Sequence, residues 1–345
     1  MRPMAKSRGA PPDSETGAFH PNGAANRGRG RAFQAALLIG WVALGLVGIW
    51  FARLRGIPSW AAVPALAAIL VEYPFYLVPA FPDLRERFAG APLPGFLVAS
   101  AVLPYLVCCC GAVPFQLVSL VKLVALALAL SLWYVVLPAV AAVDLAFLVL
   151  IAAVLLGRYF DPIYPAPVKG ADIAILGKVA VYQIAVMSLI LERRVRETGY
   201  GFLSTWKDWR IGGLHFLYFL PVGIPMALAL KIMHWSTPKP LWNVAGTFLG
   251  FLFVITLGEE FFFRGVLQQW MEDWTWNRTA ALLVTSACFG FAHLWLGRFP
   301  NWPWVPLAAT LGLFCGHARN QAGSIRAAMV THTLVVTTWR AFFAS

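Results

Sequence analysis

The stretch Gly258-Glu259-Glu260-Phe261-Phe262-Phe263-Arg264 lies within an apolar run over residues 246–267. A run of that length can cross the hydrocarbon core of a bilayer as a helix. The chain has only 15 acidic residues, and two of them are adjacent here. Because a charged side chain at membrane depth costs about 2.5–3.5 kcal/mol even on lenient insertion scales, such residues indicate a functional site.

On a helix, Glu260 and Arg264 are four residues apart on one face, so their charges can pair. Each helical residue is rotated about 100° from the one before it, which turns Glu259 away from that pair. The sequence therefore predicts a structural role for Glu260 and leaves Glu259 available for chemistry.

The overall composition is that of a membrane protein. Of the 345 residues, 60% are apolar and 12% are charged, whereas soluble proteins carry about 25% charged residues. The formal net charge is +12, but the Lys and Arg residues flank the apolar runs and do not form one patch. We therefore expect contact with a lipid bilayer and no nucleic-acid partner.

Apolar runs of about 17–25 residues, the length that spans a bilayer as a helix, follow one another along the chain. They predict an all-α fold, a polytopic transmembrane helical bundle of about ten or eleven spans. The predicted spans are residues 32–52, 57–80, 95–113, 115–136, 138–157, 174–191, 213–231, 243–268, 279–297, 304–318 and 324–342.

Three segments differ in composition. Residues 1–31 hold six of the 27 Lys and Arg residues in Gly- and Pro-rich sequence, which predicts a disordered basic tail. The positive-inside bias predicts that this tail, and with it the N-terminus, is cytoplasmic. A Pro-rich loop then separates N-terminal transmembrane helices of unassigned role, residues 32–170, from a domain at residues 171–345 that carries the clustered ionisable side chains.

Three ionisable features lie on predicted spans near the C-terminal end. They are the stretch at residues 259–264, the sequence Phe289-Gly290-Phe291-Ala292-His293, and His332 in the last span. Phe289 and His293 are four residues apart and share a helix face. A single histidine in a membrane span is most simply accommodated by a hydrogen bond from its ring to nearby backbone. Three such features favour a common site, because their side chains can satisfy one another.

A carboxylate and an imidazole that share a water molecule can deprotonate it. A second imidazole can donate to the oxyanion that forms when this water attacks a carbonyl. Such a set predicts hydrolysis without a covalent intermediate. A Cys288 nucleophile is disfavoured, because its position five residues before His293 puts the two on different helix faces and the chain has no GxSxG motif.

Two other classes of site compete with this interpretation. Two histidines and one carboxylate form a known metal-ligand set, although the chain lacks the HExxH motif of zincins. A proton-coupled transporter could instead use Glu259, His293 and His332 as a relay. Against the transporter, no Gly- or Pro-interrupted spans recur in two corresponding halves.

The order of the three motifs resembles the CAAX prenyl protease and bacteriocin-processing family, also called the Abi family. The shared pattern is EExxxR, then FxxxH, then a histidine in the last span after a Gly-Ser-Ile turn. Two further stretches are similar to the family between its second and third motifs, Leu311-Gly312-Leu313-Phe314-Cys315-Gly316 and Ala322-Gly323-Ser324-Ile325. The resemblance covers a motif core at residues 240–340.

This resemblance implies a glutamate-type intramembrane endopeptidase that needs no cofactor and no metal. Glu259 matches the catalytic glutamate, and His293 matches the histidine that helps it activate water. His332 matches the histidine on the oxyanion side. Glu260 and Arg264 match the paired positions that support the site.

Phe289 is added to the supporting residues because it shares a helix face with His293. The chain departs from the family at Val336, where an asparagine that assists the oxyanion is common. This difference leaves open a catalytically weakened immunity or scaffold protein. The resemblance implies a membrane-associated protein or peptide as substrate and an integral location in the bacterial inner membrane. It does not define an oligomeric state.

Overall fold

The computed structural model of the protein describes residues 22–195, 197–297 and 299–344. Each predicted apolar run corresponds to a helix in this part of the chain. The eleven main helices are α1 (Asn22–Leu54), α2 (Ser59–Leu77), α3 (Pro92–Cys108), α4 (Leu117–Val136), α5 (Ala141–Leu156), α6 (Ile175–Leu191), α7 (Trp206–Ala229), α8 (Leu241–Thr275), α9 (Arg278–Ala292), α10 (Trp304–Ala322) and α11 (Ile325–Phe342).

The remaining regular structure is short. Helical turns cover Val78–Ala80, Pro82–Arg85, Glu86–Phe88 and His293–Trp295. Two strands in the described part, β1 (His234–Trp235) and β2 (Phe343–Ala344), pair antiparallel. The prediction of an all-α architecture is confirmed. Of the predicted tail, residues 1–21 lie outside the described residues, and α1 begins at Asn22.

The prediction of ten or eleven membrane spans is not confirmed. Five helices of the described chain are long and apolar enough to cross a membrane, or six if the bent pair Pro82–Phe88 and α3 is one span. Those five are α1, α2, α4, α7 and α8. Helices α5, α6 and α9 have 16, 17 and 15 residues, and at about 1.5 Å per residue each is shorter than a hydrocarbon core of about 30 Å. Helices α10 and α11 are longer but carry several Arg, His and Thr side chains.

Helix α8 is interrupted by two π-helical segments. Residues Phe251–Ile255 and Phe261–Leu267 are π-helical, and the α-helical turn Thr256–Glu260 lies between them. Such segments leave some carbonyls without their usual helical partner and occur often at functional sites. In the first segment, the Tyr76 hydroxyl donates to the Phe253 carbonyl, and the Thr256 hydroxyl donates to the Phe251 carbonyl over 2.9 Å. The paired glutamates therefore lie on one regular turn between two widened ones.

Buried apolar side chains form two main clusters. The larger cluster joins helices α2 to α6 with the middle of α8. The second cluster joins α7, α9, α10 and α11. Helix α8 borders both clusters, because Phe261 belongs to the first and Phe263 packs against the second. The acidic pair on α8 consequently lies where the two halves of the fold meet.

Candidate active site

Glu260 and Arg264 form the ion pair that their spacing predicts. Arg264 Nη1 donates to Glu260 Oε1 over 3.2 Å, and both side chains are 0% exposed. Arg264 Nη2 donates to the Gly312 carbonyl over 3.2 Å, and the guanidinium lies 4.3 Å from the centre of the Phe289 ring. The cation is thus held by a carboxylate, a carbonyl and an aromatic face. These contacts fix the position of α8 against α9 and α10.

His332 approaches the same acidic pair from α11. Its Nδ1 lies 2.8 Å from Glu260 Oε1, and its Nε2 lies 3.8 Å from Glu259 Oε2. Because a Glu260 carboxylate can only accept, we infer that Nδ1 carries a proton and donates it. The other ring nitrogen therefore faces Glu259. The distance of 3.8 Å is too long for a direct hydrogen bond, but it lets both groups contact one reacting atom between them.

His293 lies at the end of α9. Its Nδ1 donates to the Phe289 carbonyl over 2.8 Å, and its ring packs edge-on against the Phe289 ring with centres 4.7 Å apart. Trp304 stacks on it with ring centres 6.5 Å apart. Since Nδ1 is the donor, Nε2 carries the lone pair when the ring is neutral. That lone pair can accept a hydrogen bond from a water molecule.

The three predicted catalytic side chains line one cavity of about 260 Å³. Glu259 contributes from α8, His293 from the end of α9 and His332 from α11. The Glu259 side chain is 27% exposed, whereas that of Glu260 is 0% exposed. One glutamate therefore faces the cavity while its neighbour is buried behind it.

Val336 also lines this cavity, and its side chain is buried. Two nearby threonines could have replaced the amide donor that valine lacks. The Thr333 hydroxyl, however, lies 2.9 Å from the Thr256 hydroxyl, which already donates to a carbonyl, so Thr333 donates to Thr256. Thr337 is not among the residues that line the cavity. Neither threonine therefore supplies a donor to the cavity.

Metal binding was the main competing hypothesis from the sequence. In the described ranges, no group of three His, Cys, Asp or Glu side chains converges closely enough to hold a metal ion. The catalytic roles of Glu259, His293 and His332 stay predictions, and so do the supporting roles of their neighbours.

Two contacts that shape the site could not be predicted from the sequence. Gly312 accepts a hydrogen bond from Arg264, and a Cβ at Gly312 would lie 3.0 Å from the backbone of Ser286. Thr256 connects α8 to α11 through Thr333. Gly312 lies in a stretch already noted for its family resemblance. Thr256 is a polar residue in an apolar run, three positions before Glu259 and so on the same helix face, which is a signal the pattern contained.

Three comparisons with known proteins bear on this site. Residues 240–338 match the family model described as type II CAAX prenyl endopeptidase, Rce1-like. The search of curated proteins and the search of solved structures found no match. The matched segment covers α8 to α11 apart from the last residues of α11, and it contains all six predicted site residues. It is under a third of the chain and nearly coincides with the motif core predicted at residues 240–340.

Proposed function

We propose that the chain is a glutamate-type intramembrane endopeptidase of the CAAX protease family, whose model matches residues 240–338. The family match and several apolar helices make it an integral membrane protein. The observation that carries the proposed mechanism is the convergence of Glu259, His293 and His332, from three different helices, on one cavity.

Glu259 and His293 are the groups that activate water. The Glu259 carboxylate accepts a proton from the water, and the lone pair of His293 Nε2 accepts the second hydrogen bond and orients it. The oxygen of that water attacks the carbonyl carbon of a peptide bond. When the C–N bond breaks, the proton held by Glu259 passes to the leaving amine nitrogen. No covalent intermediate forms with the protein.

His332 stabilises the oxyanion of the tetrahedral intermediate. This role requires a proton on Nε2 as well as on Nδ1, so His332 acts as an imidazolium. Its ring lies between the carboxylates of Glu259 and Glu260, at 3.8 and 2.8 Å, so Glu260 holds Nδ1 while Nε2 faces the reacting centre. A donor aimed at the developing charge in a dry cavity contributes more than the same donor in water.

Glu260 and Arg264 hold the donor in place. Glu260 is the shared partner of Arg264 and His332, through the same Oε1 atom. The guanidinium is fixed in turn by the Phe289 ring and the Gly312 carbonyl. The ring of His332 is therefore oriented by a buried set of residues that do not contact the substrate.

The substrate proposed is a membrane-associated protein or peptide. The cavity supports this class, because its walls are mostly apolar and include Phe219, Leu311 and Trp339. An apolar wall favours an extended apolar segment over a strongly polar one.

A cleavage assay in liposomes tests the proposed function. The purified chain is reconstituted with a panel of membrane-anchored peptides, with and without a prenyl group, in water enriched in heavy oxygen. We expect mass spectrometry to find one cleaved peptide bond, with one heavy oxygen in the new carboxylate. Glu259→Gln should lower the rate by about 10²–10⁴-fold, the usual contribution of a general base.

Glu272→Gln is the matched control. Glu272 lies on the same helix and pairs with Arg319 over 2.8 Å, away from the cavity. This variant should retain cleavage. Transport of protons without any cleaved peptide would contradict the protease and favour the relay of the competing transporter.

The same assay distinguishes a metal-dependent hydrolase. Exhaustive chelation should leave the rate unchanged if Glu259 and His293 alone activate the water. Elemental analysis of the purified chain should find far less than one metal ion per chain. Loss of cleavage on chelation, restored by one added ion, would support the metal-dependent alternative instead.

We also propose that the chain lies in the bacterial inner membrane with its N-terminus in the cytoplasm. The location is supported by the family resemblance, and the orientation is supported by the six Lys and Arg residues within residues 1–31. A reporter that functions only in the cytoplasm, fused to the N-terminus, should be active in cells. An inactive reporter on a full-length, membrane-inserted chain would reverse the orientation.

A further inference from the structure

Helix α8 carries Glu259 and Glu260 on a regular turn, Thr256–Glu260, between two π-helical segments. A π-helical turn bonds residue i to residue i+5, so it holds one residue more than an α-helical turn. One residue corresponds to about 100° of rotation around the helix axis. The first segment, Phe251–Ile255, therefore sets the face of α8 on which the next turn presents its side chains.

This rotation decides which residue of the turn faces the cavity. If residues 251–255 were regular α-helix and the start of α8 stayed in place, the residues after them would turn by about 100°. Gly258 would then lie near the present position of Glu259, and Glu259 would lie near that of Glu260. Because glycine has no side chain, the cavity would lose the carboxylate that we assign to the activation of water.

Hydroxyl groups bind two carbonyls of the first π-helical segment. The backbone N–H and the hydroxyl of Thr256 both donate to the Phe251 carbonyl. The Tyr76 hydroxyl donates to the Phe253 carbonyl. Thr256 belongs to α8 itself, whereas Tyr76 lies on α2, 177 residues earlier in the chain. Tyr76 therefore ties this segment to a helix outside the residues that match the family model.

The side chain of Tyr76 is itself held in place. It is buried, and its ring packs against Phe202 with centres 5.5 Å apart. Phe202 packs in turn against Phe253, with ring centres 6.3 Å apart. A buried tyrosine hydroxyl usually has a hydrogen-bond partner, and leaving a buried carbonyl without its partner is costly. The bond between Tyr76 and Phe253 is therefore not easily exchanged for another.

The second π-helical segment, Phe261–Leu267, is contacted by two more tyrosines from outside the matched residues. Tyr200 packs against Phe261 with ring centres 5.2 Å apart, and Tyr182 of α6 packs against Phe262 with ring centres 5.7 Å apart. Both are ring contacts, whereas the bond from Tyr76 is directional, since a hydrogen bond weakens steeply at poor angles. Among these three tyrosines, Tyr76 thus constrains the rotation of α8 most specifically.

We propose that Tyr76 is a positioning residue, which holds the first π-helical segment and thereby turns Glu259 into the cavity. The catalytic consequence rests on the proposed peptidase function, whereas the rotation of the turn does not depend on any reaction. The inference gives α2, one of the helices of unassigned role, a defined part in the site.

A structural role alone predicts a different result for the same change. If Tyr76 only attaches α2 to α8, removal of its hydroxyl lowers stability, and the folded enzyme keeps its kcat. If Tyr76 positions Glu259, removal of the hydroxyl lowers kcat. The KM should then stay the same, because the apolar cavity wall that binds the substrate is unchanged.

The kinetic test uses Tyr76→Phe, which removes the hydroxyl and keeps the ring contact with Phe202. On one anchored peptide we expect kcat to be about tenfold lower at unchanged KM, the effect of one hydrogen bond lost at a buried carbonyl. An unchanged kcat would overturn the proposal, whether or not the thermal unfolding midpoint falls.

Tyr73→Phe is the matched control on the same helix. The Tyr73 hydroxyl donates to the Ala36 carbonyl of α1 over 3.0 Å, so this variant loses the same kind of bond away from α8. It should keep the wild-type kcat. An equal decrease of kcat in both variants would overturn the proposal, because the effect would then not depend on the bond to α8.

Hydrogen exchange separates this inference from the proposed function, because it requires no cleavage. Mass spectrometry follows the backbone exchange of residues 251–260 in the wild-type chain, in Tyr76→Phe and in Tyr73→Phe, all in one detergent. We expect faster exchange of these residues in Tyr76→Phe alone, and that result supports the inference even if no chain cleaves any peptide. Unchanged exchange in Tyr76→Phe would overturn it, while cleavage by the wild-type chain would still retain the protease.

Discussion

Glu259 and Glu260 are adjacent in sequence but lie in different environments. Glu259 faces the cavity, whereas Glu260 is fully buried between Arg264 and His332. The difference follows from helical geometry, because neighbouring residues point about 100° apart. It implies that the same Glu→Gln change should have unlike consequences at the two positions.

Glu260→Gln should act mainly on folding and on the orientation of His332. The amide removes the charge that neutralises Arg264, and leaving one member of a buried pair alone costs about 3–5 kcal/mol. We expect a lower thermal unfolding midpoint and a lower yield than for Glu259→Gln. Thermal unfolding of both purified variants in one detergent measures the difference. Equal stability of the two variants would contradict the structural role of Glu260.

Val336→Asn tests whether the oxyanion lacks a second hydrogen-bond donor. Neither Thr333 nor Thr337 supplies a donor to the cavity, so His332 is the only side-chain donor that we assign. One oxyanion donor contributes about 10²–10³ in rate in a well-studied case. Val336→Asn should therefore raise kcat, measured on one anchored peptide.

His332→Ala is the companion to that variant and should lower kcat severely. A slower Val336→Asn enzyme would mean that a backbone N–H already supplies the second donor. A fully active His332→Ala enzyme would remove His332 from the mechanism and return the transporter and scaffold hypotheses to consideration.

Much of the site at the residue scale could be predicted from spacing. The i,i+4 rule connects Glu260 with Arg264, and the structure contains that ion pair. The contact between Glu260 and His332 joins residues 72 positions apart. No local pattern encodes it, so only the packing of α8 against α11 brings it about.

At the scale of the element, α8 depends on a close approach by α6. A Cβ at Gly258 would lie 2.8 Å from the Cδ1 and Cε1 atoms of the Tyr182 ring. Only glycine fits this contact without movement, and the neighbouring residue is Glu259. The tyrosine therefore packs directly against the turn that presents the proposed catalytic carboxylate.

Gly258→Ala should destabilise the protein by about 1–3 kcal/mol, the usual cost of overpacking. It should also lower cleavage, because the turn that carries Glu259 must shift. Gly246→Ala is the matched control on the same helix, since a Cβ there meets nothing within 4 Å. Thermal unfolding and cleavage of both variants check the prediction. If Gly258→Ala has the same stability and cleavage rate as the control, the Tyr182 side chain moves aside without measurable cost.

The connection after α6 should give the protein a pH-dependent stability. Burial raises the pKa of Glu192 to about 7, and its Oε2 atom is buried with no hydrogen-bond partner in the described ranges. The native state therefore holds a proton that the unfolded chain releases near pH 4.5. The stabilisation of the native state by this proton is complete below pH 4.5, the pKa of the group in the unfolded chain. It is lost as pH rises through about 7, the pKa in the native state.

Unfolding midpoints at pH 5 and pH 8 measure this effect. The unfolding midpoint of the wild-type chain should be lower at pH 8 than at pH 5. The midpoint of Glu192→Gln should decrease less over the same range, because its side chain stays neutral. Glu197→Gln changes an exposed carboxyl in the same connection and should keep the wild-type slope. If the midpoint changes equally with pH in the wild-type chain and in Glu192→Gln, the Glu192 carboxyl does not contribute to the pH dependence of stability.

The helices themselves were predictable, and their interruptions were not. Each apolar run corresponds to a helix, because hydrophobic length is a local property of the sequence. The π-helical segments at Phe251–Ile255 and Phe261–Leu267 lie in sequence that reads as ordinary apolar helix. The first depends on the Tyr76 hydroxyl from α2, far away in the chain. The count of ten or eleven spans is not confirmed, because helices as short as 15 residues also produce apolar runs.

At the scale of the whole molecule, the cavity is larger than the matched segment. Residues 240–338 supply the proposed catalytic side chains, but α7 contributes Phe219 and Gly223 to the wall, and Arg340 lies beyond the match. The wall of the cavity therefore includes residues outside the segment that matches the family model.

The N-terminal helices are attached to that core by specific contacts. Arg193 binds Asp144 of α5 through two hydrogen bonds of 2.7 Å, and its guanidinium lies 5.4 Å from the centre of the Trp270 ring on α8. Asp144 is an isolated acid in an apolar run, and no local pattern of the sequence identifies its partner, which is 49 residues away.

The central claim is that this chain cleaves membrane substrates by means of Glu259. The most direct measurement compares protein termini, by mass spectrometry, in membranes of three cell types. One makes the wild-type chain, one makes Glu259→Gln at equal abundance, and one lacks the chain. We predict new termini in membrane-anchored proteins of the wild-type cells alone. The same termini in Glu259→Gln cells, or none that depend on the chain at all, would contradict the account.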